Sequence, residues 1–248
     1  MIRRLTMVGV TLLVLSVLVV MGCQAFVRKA MFFPSHEVRQ SPFTAWMHEG
    51  RQLGLAREVD SPRNAWLFLH GNGGQAADRT YAMHAFDDAD SVFILEYPGY
   101  GARPGTPSRK SFDAAAREAY AALRARFPAT PVCVVGESLG SGPASVLSRE
   151  QPAPDKIVLI VPFDSIRSVA RDHVRFLPTS LILMGSWDNV EALQGYGGPV
   201  EIFGAEKDEV IPVTHAEALA KSLPRAKFHR IPGNHGWANG RDVQVRNP

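Results

Sequence analysis

Short runs rich in Val, Ile, Leu and Phe recur along the chain, at 65–69, 91–96, 132–135, 156–161, 200–203 and 227–231. A strand that is apolar on both sides is covered on both sides, which is the situation inside a parallel sheet. Between these runs lie four stretches with helical patterning, at 75–86, 111–127, 139–149 and 212–222. In the second, Ser111 is expected to cap the N-terminus, and alanines interspersed with Arg and Glu raise helix propensity. Pro212 suits the first turn of the last helix. Strand and helix in alternation predict an α/β fold with a mostly parallel, doubly wound sheet. In such sheets ligands bind beyond the carboxyl ends of the strands, so residues just after each strand carry the candidate chemistry.

The start of the chain follows a different pattern. Arg3 and Arg4 precede an uncharged, largely apolar stretch at 5–20, which ends in Val20-Met21-Gly22-Cys23. A positive start followed by such a stretch reads as an export signal, and the ending resembles the lipobox of bacterial lipoproteins. That resemblance implies a removed segment 1–22 and a lipidated Cys23 as mature N-terminus. Residues 5–22 are also about the shortest stretch able to span a bilayer, so an uncleaved anchor is the rival reading, with a plain signal peptide third. Lipid or anchor, the body at 23–248 is expected to be exported and held at a membrane, on the periplasmic face. Gln24 after the cysteine resembles outer-membrane sorting. After Cys23 no repeat, low-complexity run or long linker interrupts the chain, so one domain is expected.

Charge and composition narrow the function. Hydrophobic residues at 46% and charged residues at 21% exclude a disordered chain. The 27 Lys and Arg exceed the 24 Asp and Glu by three, spread without a basic face, so no nucleic-acid partner is expected. With only two cysteines a Cys-rich zinc site is excluded. Cys133, flanked by valines, reads as a buried strand residue rather than a reactive thiol. No histidine pairing has metal-ligand spacing, so neither metal nor cofactor is expected.

After the run 132–135 comes Gly136-Glu137-Ser138-Leu139-Gly140, a G-x-S-x-G sequence. A very tight strand-to-helix turn strains the serine backbone and leaves no room for side chains at the flanking glycines, while exposing the hydroxyl above the sheet. Such a hydroxyl needs a base oriented by a third group. Asp208 follows the run 200–203 and His235 follows 227–231, giving the chain order Ser, Asp, His. Glu206, Glu209 and Asp164 are rival acids, of which the two glutamates are equally accounted for as solvated loop charges. The run 65–69 leads into His70-Gly71-Asn72-Gly73-Gly74, a turn able to aim backbone N–H groups inward, and the N–H groups of Asn72 and Leu139 would form an oxyanion pair. Phosphate binding by that turn is the lesser reading, since neither nucleotide-binding glycine motif is present.

These blocks, with Tyr97-Pro98-Gly99-Tyr100-Gly101 and Met31-Phe32-Phe33-Pro34, resemble the α/β-hydrolase-fold serine hydrolases, in the small-capped branch that includes protein depalmitoylases. The resemblance spans most of the chain from Met31 to His235. It implies Ser138 as nucleophile, His235 as base, Asp208 as its partner, backbone donors at Asn72 and Leu139, and a small helical cap at about 162–199. Ala205 stands where that family usually has glycine, and only thirteen residues follow His235, so a shortened closing helix is expected. Within the cap region Phe163, Phe176, Leu177, Leu181, Met184 and Trp187 either line an acyl pocket or pack the cap onto the body. The expected reaction is hydrolysis of a small acyl ester or thioester, lipid-derived in keeping with a membrane location. It would proceed through an acyl-enzyme and lose activity as pH falls through about 6 to 7. A serine peptidase or amidase on the same fold, and a tethered non-catalytic binding protein, are the alternatives.

Overall fold

All six apolar runs become strands of one sheet, and the computed structural model places two further strands ahead of them. It describes residues 31–174, 183, 185–237 and 242–247. The strands are β1 (Thr44–His48), β2 (Arg51–Arg57), β3 (Ala65–Leu69), β4 (Ser91–Leu95), β5 (Val132–Glu137), β6 (Ile157–Ile160), β7 (Val200–Ala205) and β8 (Lys227–Ile231). They lie in the order β1-β2-β4-β3-β5-β6-β7-β8. β1 and β2 form an antiparallel hairpin and β2 runs antiparallel to β4; every later pair is parallel. The mostly parallel α/β sheet expected from the strand–helix alternation is thus present, with the α/β-hydrolase architecture that the resemblance implies and β5 central.

The helices follow the predicted places with altered beginnings. Helix α1 (Arg109–Arg126) starts ahead of the expected cap: Ser108 is extended, and its hydroxyl accepts the Ser111 N–H at 3.1 Å. Ser111 therefore sits inside the first turn, where its own Oγ donates to the Thr106 carbonyl at 2.9 Å. The expected helix at 75–86 is a 3-10 segment, Ala76–Ala85. That at 139–149 is α2 (Ser141–Val146) between two 3-10 turns. Between β6 and β7 lie α3 (Ile166–His173) and α4 (Asn189–Leu193). Helix α5 (Val213–Ser222) begins one residue after Pro212, which occupies the position before the first turn.

Apolar burial fills both faces of the sheet. Leu67, Leu69, Val134 and Leu159 meet Phe112, Ala116 and Leu123 of α1 on one face. Trp66, Phe68, Cys133, Val135 and Ile160 meet Ala82, Phe86 and Trp237 on the other. Fully burying a side chain of Leu or Phe size contributes about 1.5–3 kcal/mol. Residues 242–247 form no helix; they pack Val243 and Val245 onto the second face, and the Val245 N–H donates to the Ala85 carbonyl at 2.8 Å. Phe163 and Trp187 belong to the core of the first face, with the Trp187 indole N–H on Asp113 at 2.7 Å. They pack the segment between β6 and β7 onto the body. Phe176, Leu177, Leu181 and Met184, like Cys23 and the leader 1–22, lie outside the described residues. Among the described residues no helix is long and apolar enough to cross a membrane.

Candidate active site

Strand β5 ends at Glu137, and the next residue turns the chain sharply. Ser138 has φ +50°, a left-handed backbone that a side-chain-bearing residue adopts only when its surroundings impose it. The flanking glycines are the cause. A Cβ at Gly136 would lie 2.6 Å from the Ala144 Cβ and 2.7 Å from the Gly140 carbonyl oxygen. One at Gly140 would overlap the Leu69 carbonyl at the end of β3. Only glycine lets α2 start so close to both strands, and that closeness lifts the serine side chain to the rim.

Ser138, His235 and Asp208 meet there. The Ser138 Oγ lies 2.8 Å from His235 Nε2, and His235 Nδ1 lies 2.7 Å from Asp208 Oδ2. The second carboxylate oxygen of Asp208 accepts the N–H groups of Val210 at 2.9 Å and Ile211 at 2.8 Å. An ionised carboxylate only accepts, so the His235 proton sits on Nδ1, and Nε2 is left to accept from the serine hydroxyl. The loops after β7 and β8 are held side by side by Glu206 N–H on the Ile231 carbonyl and Lys207 N–H on the Gly233 carbonyl. Of the rival acids, Glu206 and Glu209 are exposed. Asp164 accepts instead from His215 at 2.8 Å, so it serves a different histidine.

The turn after β3 faces the serine across a cavity of about 380 Å³. Gly71 and Asn72 line it together with Ser138 and His235. The Asn72 side chain is fully engaged away from the reaction centre. Its Oδ1 accepts from Phe33 N–H, Gly73 N–H and Tyr100 OH, and its Nδ2 donates to the Met31 carbonyl at 2.6 Å. What Asn72 offers the cavity is therefore its backbone. Leu139 follows Ser138 in the first turn leading into α2, where helix N–H groups favour negative charge.

Four further residues line the same cavity that the sequence pattern does not single out: Arg79, Tyr81, Glu137 and Trp237. Glu137 is buried, and its Oε1 accepts the Tyr81 hydroxyl at 2.5 Å and the Trp237 indole N–H at 2.9 Å. Its Oε2 accepts the Gly71 N–H at 2.9 Å. Burial pushes this carboxyl up, yet the Arg79 charge and the three donated bonds outweigh it and hold the group below the ordinary carboxylate value. Burial, reinforced by the Glu137 charge, drives the Tyr81 phenol well above its usual value. The only sequence signal for this cluster is an acidic residue between Gly136 and Ser138, beside an otherwise unbroken apolar strand. Among the described residues no group of three or more His, Cys, Asp or Glu is arranged to hold a metal ion.

The sequence profile of the alpha/beta hydrolase family matches residues 66–242, well over half of the chain. The chain belongs to that family. It is 28% identical over 250 residues to the uncharacterized protein Rv2307c of Mycobacterium tuberculosis, covering 93% of this chain and 87% of that one. It is 30% identical over 223 residues to the lysophosphatidylserine lipase ABHD12 of Xenopus tropicalis, covering 77% of this chain and 57% of the lipase. Among solved structures, the Est1E protein of Butyrivibrio proteoclasticus, bound to ferulic acid, superposes with a TM-score of 0.61 at 15% identity, covering 76% of this chain and 89% of that one. That likeness is one of fold. Family membership makes the chain a hydrolase.

Proposed function

We propose that this hydrolase is a membrane-tethered serine esterase or thioesterase that works through a Ser138-His235-Asp208 triad. The observation that carries the reading is the unbroken hydrogen-bond path from Ser138 Oγ through the His235 ring to a carboxylate whose other oxygen is pinned by two backbone donors. Ser138 Oγ attacks the acyl carbonyl while its proton passes to His235 Nε2, and the Asn72 and Leu139 N–H groups receive the developing oxyanion. Collapse breaks the ester or thioester bond, and the leaving alcohol or thiol takes the proton back from Nε2. Water then attacks the acyl-enzyme, gives its proton to the same nitrogen, and releases the carboxylic acid and free Ser138.

The substrate class rests on the site and on location. No metal or cofactor is needed for this chemistry, and a lysophosphatidylserine lipase among the relatives supports a lipid-derived acyl substrate. A tether would hold the site close to its lipid supply. The chain enters the described fold at Met31, whose carbonyl accepts from Asn72 at the cavity rim. The eight residue steps from Cys23 to Met31 reach at most about 29 Å.

Two measurements test these readings separately. Turnover of p-nitrophenyl esters of increasing chain length, acyl thioesters and aminoacyl anilides is compared for wild type and Ser138→Ala. Ester and thioester turnover is expected to exceed anilide turnover and to fall at least about 10³-fold in the variant. Retained activity in Ser138→Ala refutes the mechanism, and faster anilide cleavage makes the protein an amidase. Mass spectrometry of the mature N-terminus tests the tether: an acylated Cys23 with residues 1–22 removed supports lipidation, whereas an intact leader indicates an uncleaved anchor.

A further inference from the structure

We propose that the buried pair Glu137 and Arg79 is a positioning device that sets the direction of the Asn72 N–H toward the oxyanion. The inference rests on the serine-hydrolase reading and names residues that reading does not require.

Peptide planarity supplies the argument. The Gly71 carbonyl and the Asn72 N–H belong to one rigid peptide unit and point in opposite directions. The Gly71 carbonyl lies 2.8 Å from His70 Nδ1 and accepts from Arg79 Nη2 at 3.3 Å, and the same Arg79 nitrogen donates to the Gly73 carbonyl, so the guanidinium, together with the His70 ring, holds the unit that carries the donor. The preceding unit is fixed at both ends as well. Its N–H, on Gly71, is taken by Glu137 Oε2 at 2.9 Å, and its carbonyl, on His70, accepts the Tyr97 hydroxyl at 3.0 Å. Gly71 is a glycine with wide conformational freedom, and such a turn does not hold one orientation unaided.

Glu137 and Arg79 also hold each other through Tyr81, whose hydroxyl accepts from Arg79 Nη1 at 3.2 Å and donates to Glu137. Because Glu137 directly precedes Ser138, the carboxylate ties the turn carrying one donor to the elbow carrying the other. Its bond to the Trp237 indole extends the tie to the loop two residues past His235. A preorganised donor pair is worth most when it needs no reorientation as charge develops. Burying two opposite charges that are joined only through the Tyr81 hydroxyl is an expensive way to obtain stability alone, since packed apolar side chains of equal volume are often no worse.

The test uses Glu137→Gln and, because a broken buried pair can cost folding, Arg79→Lys as well. Glutamine keeps the shape but sets an amide N–H₂ against the Gly71 N–H or against the two donors on the other side. Lysine keeps the charge but has no fork to bridge two carbonyls. Ester hydrolysis is measured from pH 5 to 9, with the rate of Ser138 phosphonylation by a fluorophosphonate, whose adduct carries an oxyanion-like oxygen. We expect kcat and the phosphonylation rate to fall together by about 10- to 100-fold, a fraction of the 10²- to 10³-fold cost of losing one donor. KM should stay within about threefold, and the acid limb of the pH profile should not move. A folded variant of either kind with wild-type kcat overturns the inference, and so does a loss confined to KM or a displaced acid limb. If wild type itself is not phosphonylated at Ser138, the parent reading fails instead.

Discussion

Replacing Asp208 by asparagine should remove the base without moving a heavy atom, and the reason lies in the separate tasks of its two oxygens. Oδ1 accepts the N–H groups of Val210 and Ile211, and Oδ2 accepts the Nδ1–H of His235. In Asp208→Asn the amide oxygen must stay with the two backbone donors. The reverse orientation would set an N–H₂ against them in a side chain only 1% exposed. Two buried donors left unpaired cost about 1–3 kcal/mol each, so the flip is opposed by about 2–6 kcal/mol. The favoured orientation turns Nδ2 toward His235, whose ring proton then moves to Nε2, facing Ser138, where it can no longer accept. A wrong tautomer in a triad of this kind lowers kcat by about 10⁴-fold, or about 5.4 kcal/mol. Leakage through the flipped amide sets the floor at about 30-fold. The expected loss in kcat on a p-nitrophenyl ester therefore lies between about 30- and 10⁴-fold, with a melting temperature within about 3 °C of wild type. A folded variant with kcat within threefold of wild type would refute the triad assignment.

Most of the parallel part of the fold is legible because β3 to β7 are buried on both faces and appear as apolar runs, whereas β8, at the sheet edge, is marked only by Phe228 and Ile231 among polar residues. β1 and β2 escape notice because they form an antiparallel hairpin at one side of the sheet, with β1 at its edge and few inward side chains. Only Trp46, Leu53, Gly54 and Ala56 of the hairpin turn fully inward, and Arg51, Gln52 and Arg57 make the run look polar. The start of α1 is misread by three residues because Ser108 and Ser111 are both competent caps, and the choice is settled by the extended backbone at Ser108. The candidate site is legible where chemistry and backbone strain coincide, as at Gly136 to Gly140. Its supports are not. Glu137, Arg79, Tyr81 and Trp237 come from three separate stretches with no shared spacing, and only folding reveals that one carboxylate takes donors from Gly71, Tyr81 and Trp237. Asp164 illustrates the converse, a carboxylate at the end of a strand that belongs to His215.

Other consequences follow from particular contacts. Gly140→Ala would drive a Cβ onto the Leu69 carbonyl and within 2.7 Å of the His70 oxygen, both backbone. A loss of about 3 kcal/mol, or about 6–12 °C in melting temperature, is expected, and a shift under 2 °C would contradict the close approach. Burial pushes the Cys133 thiol up to about 12. In a Cys23→Ser background a disulfide reagent at pH 8 should therefore leave native protein unmodified and titrate one thiol in guanidinium, and rapid reaction of the native form would count against it. His215 on α5 meets Asp164 at 2.8 Å and Asp172 of α3 at 3.2 Å, and the Asp164 hydrogen bond raises its pKa. Its stabilising contribution is full below the unfolded value of about 6.5 and lost as pH rises through the higher folded value. The melting-temperature gap between wild type and His215→Gln should thus shrink from pH 6 to pH 9, and a constant gap would exclude this linkage.

The reaction centre itself is tested most directly by mass spectrometry after treatment with a fluorophosphonate. The account predicts one adduct per chain, mapped to the peptide containing Ser138, and none in Ser138→Ala. A label on any other residue, or an unreacted wild-type protein that is folded, would contradict it.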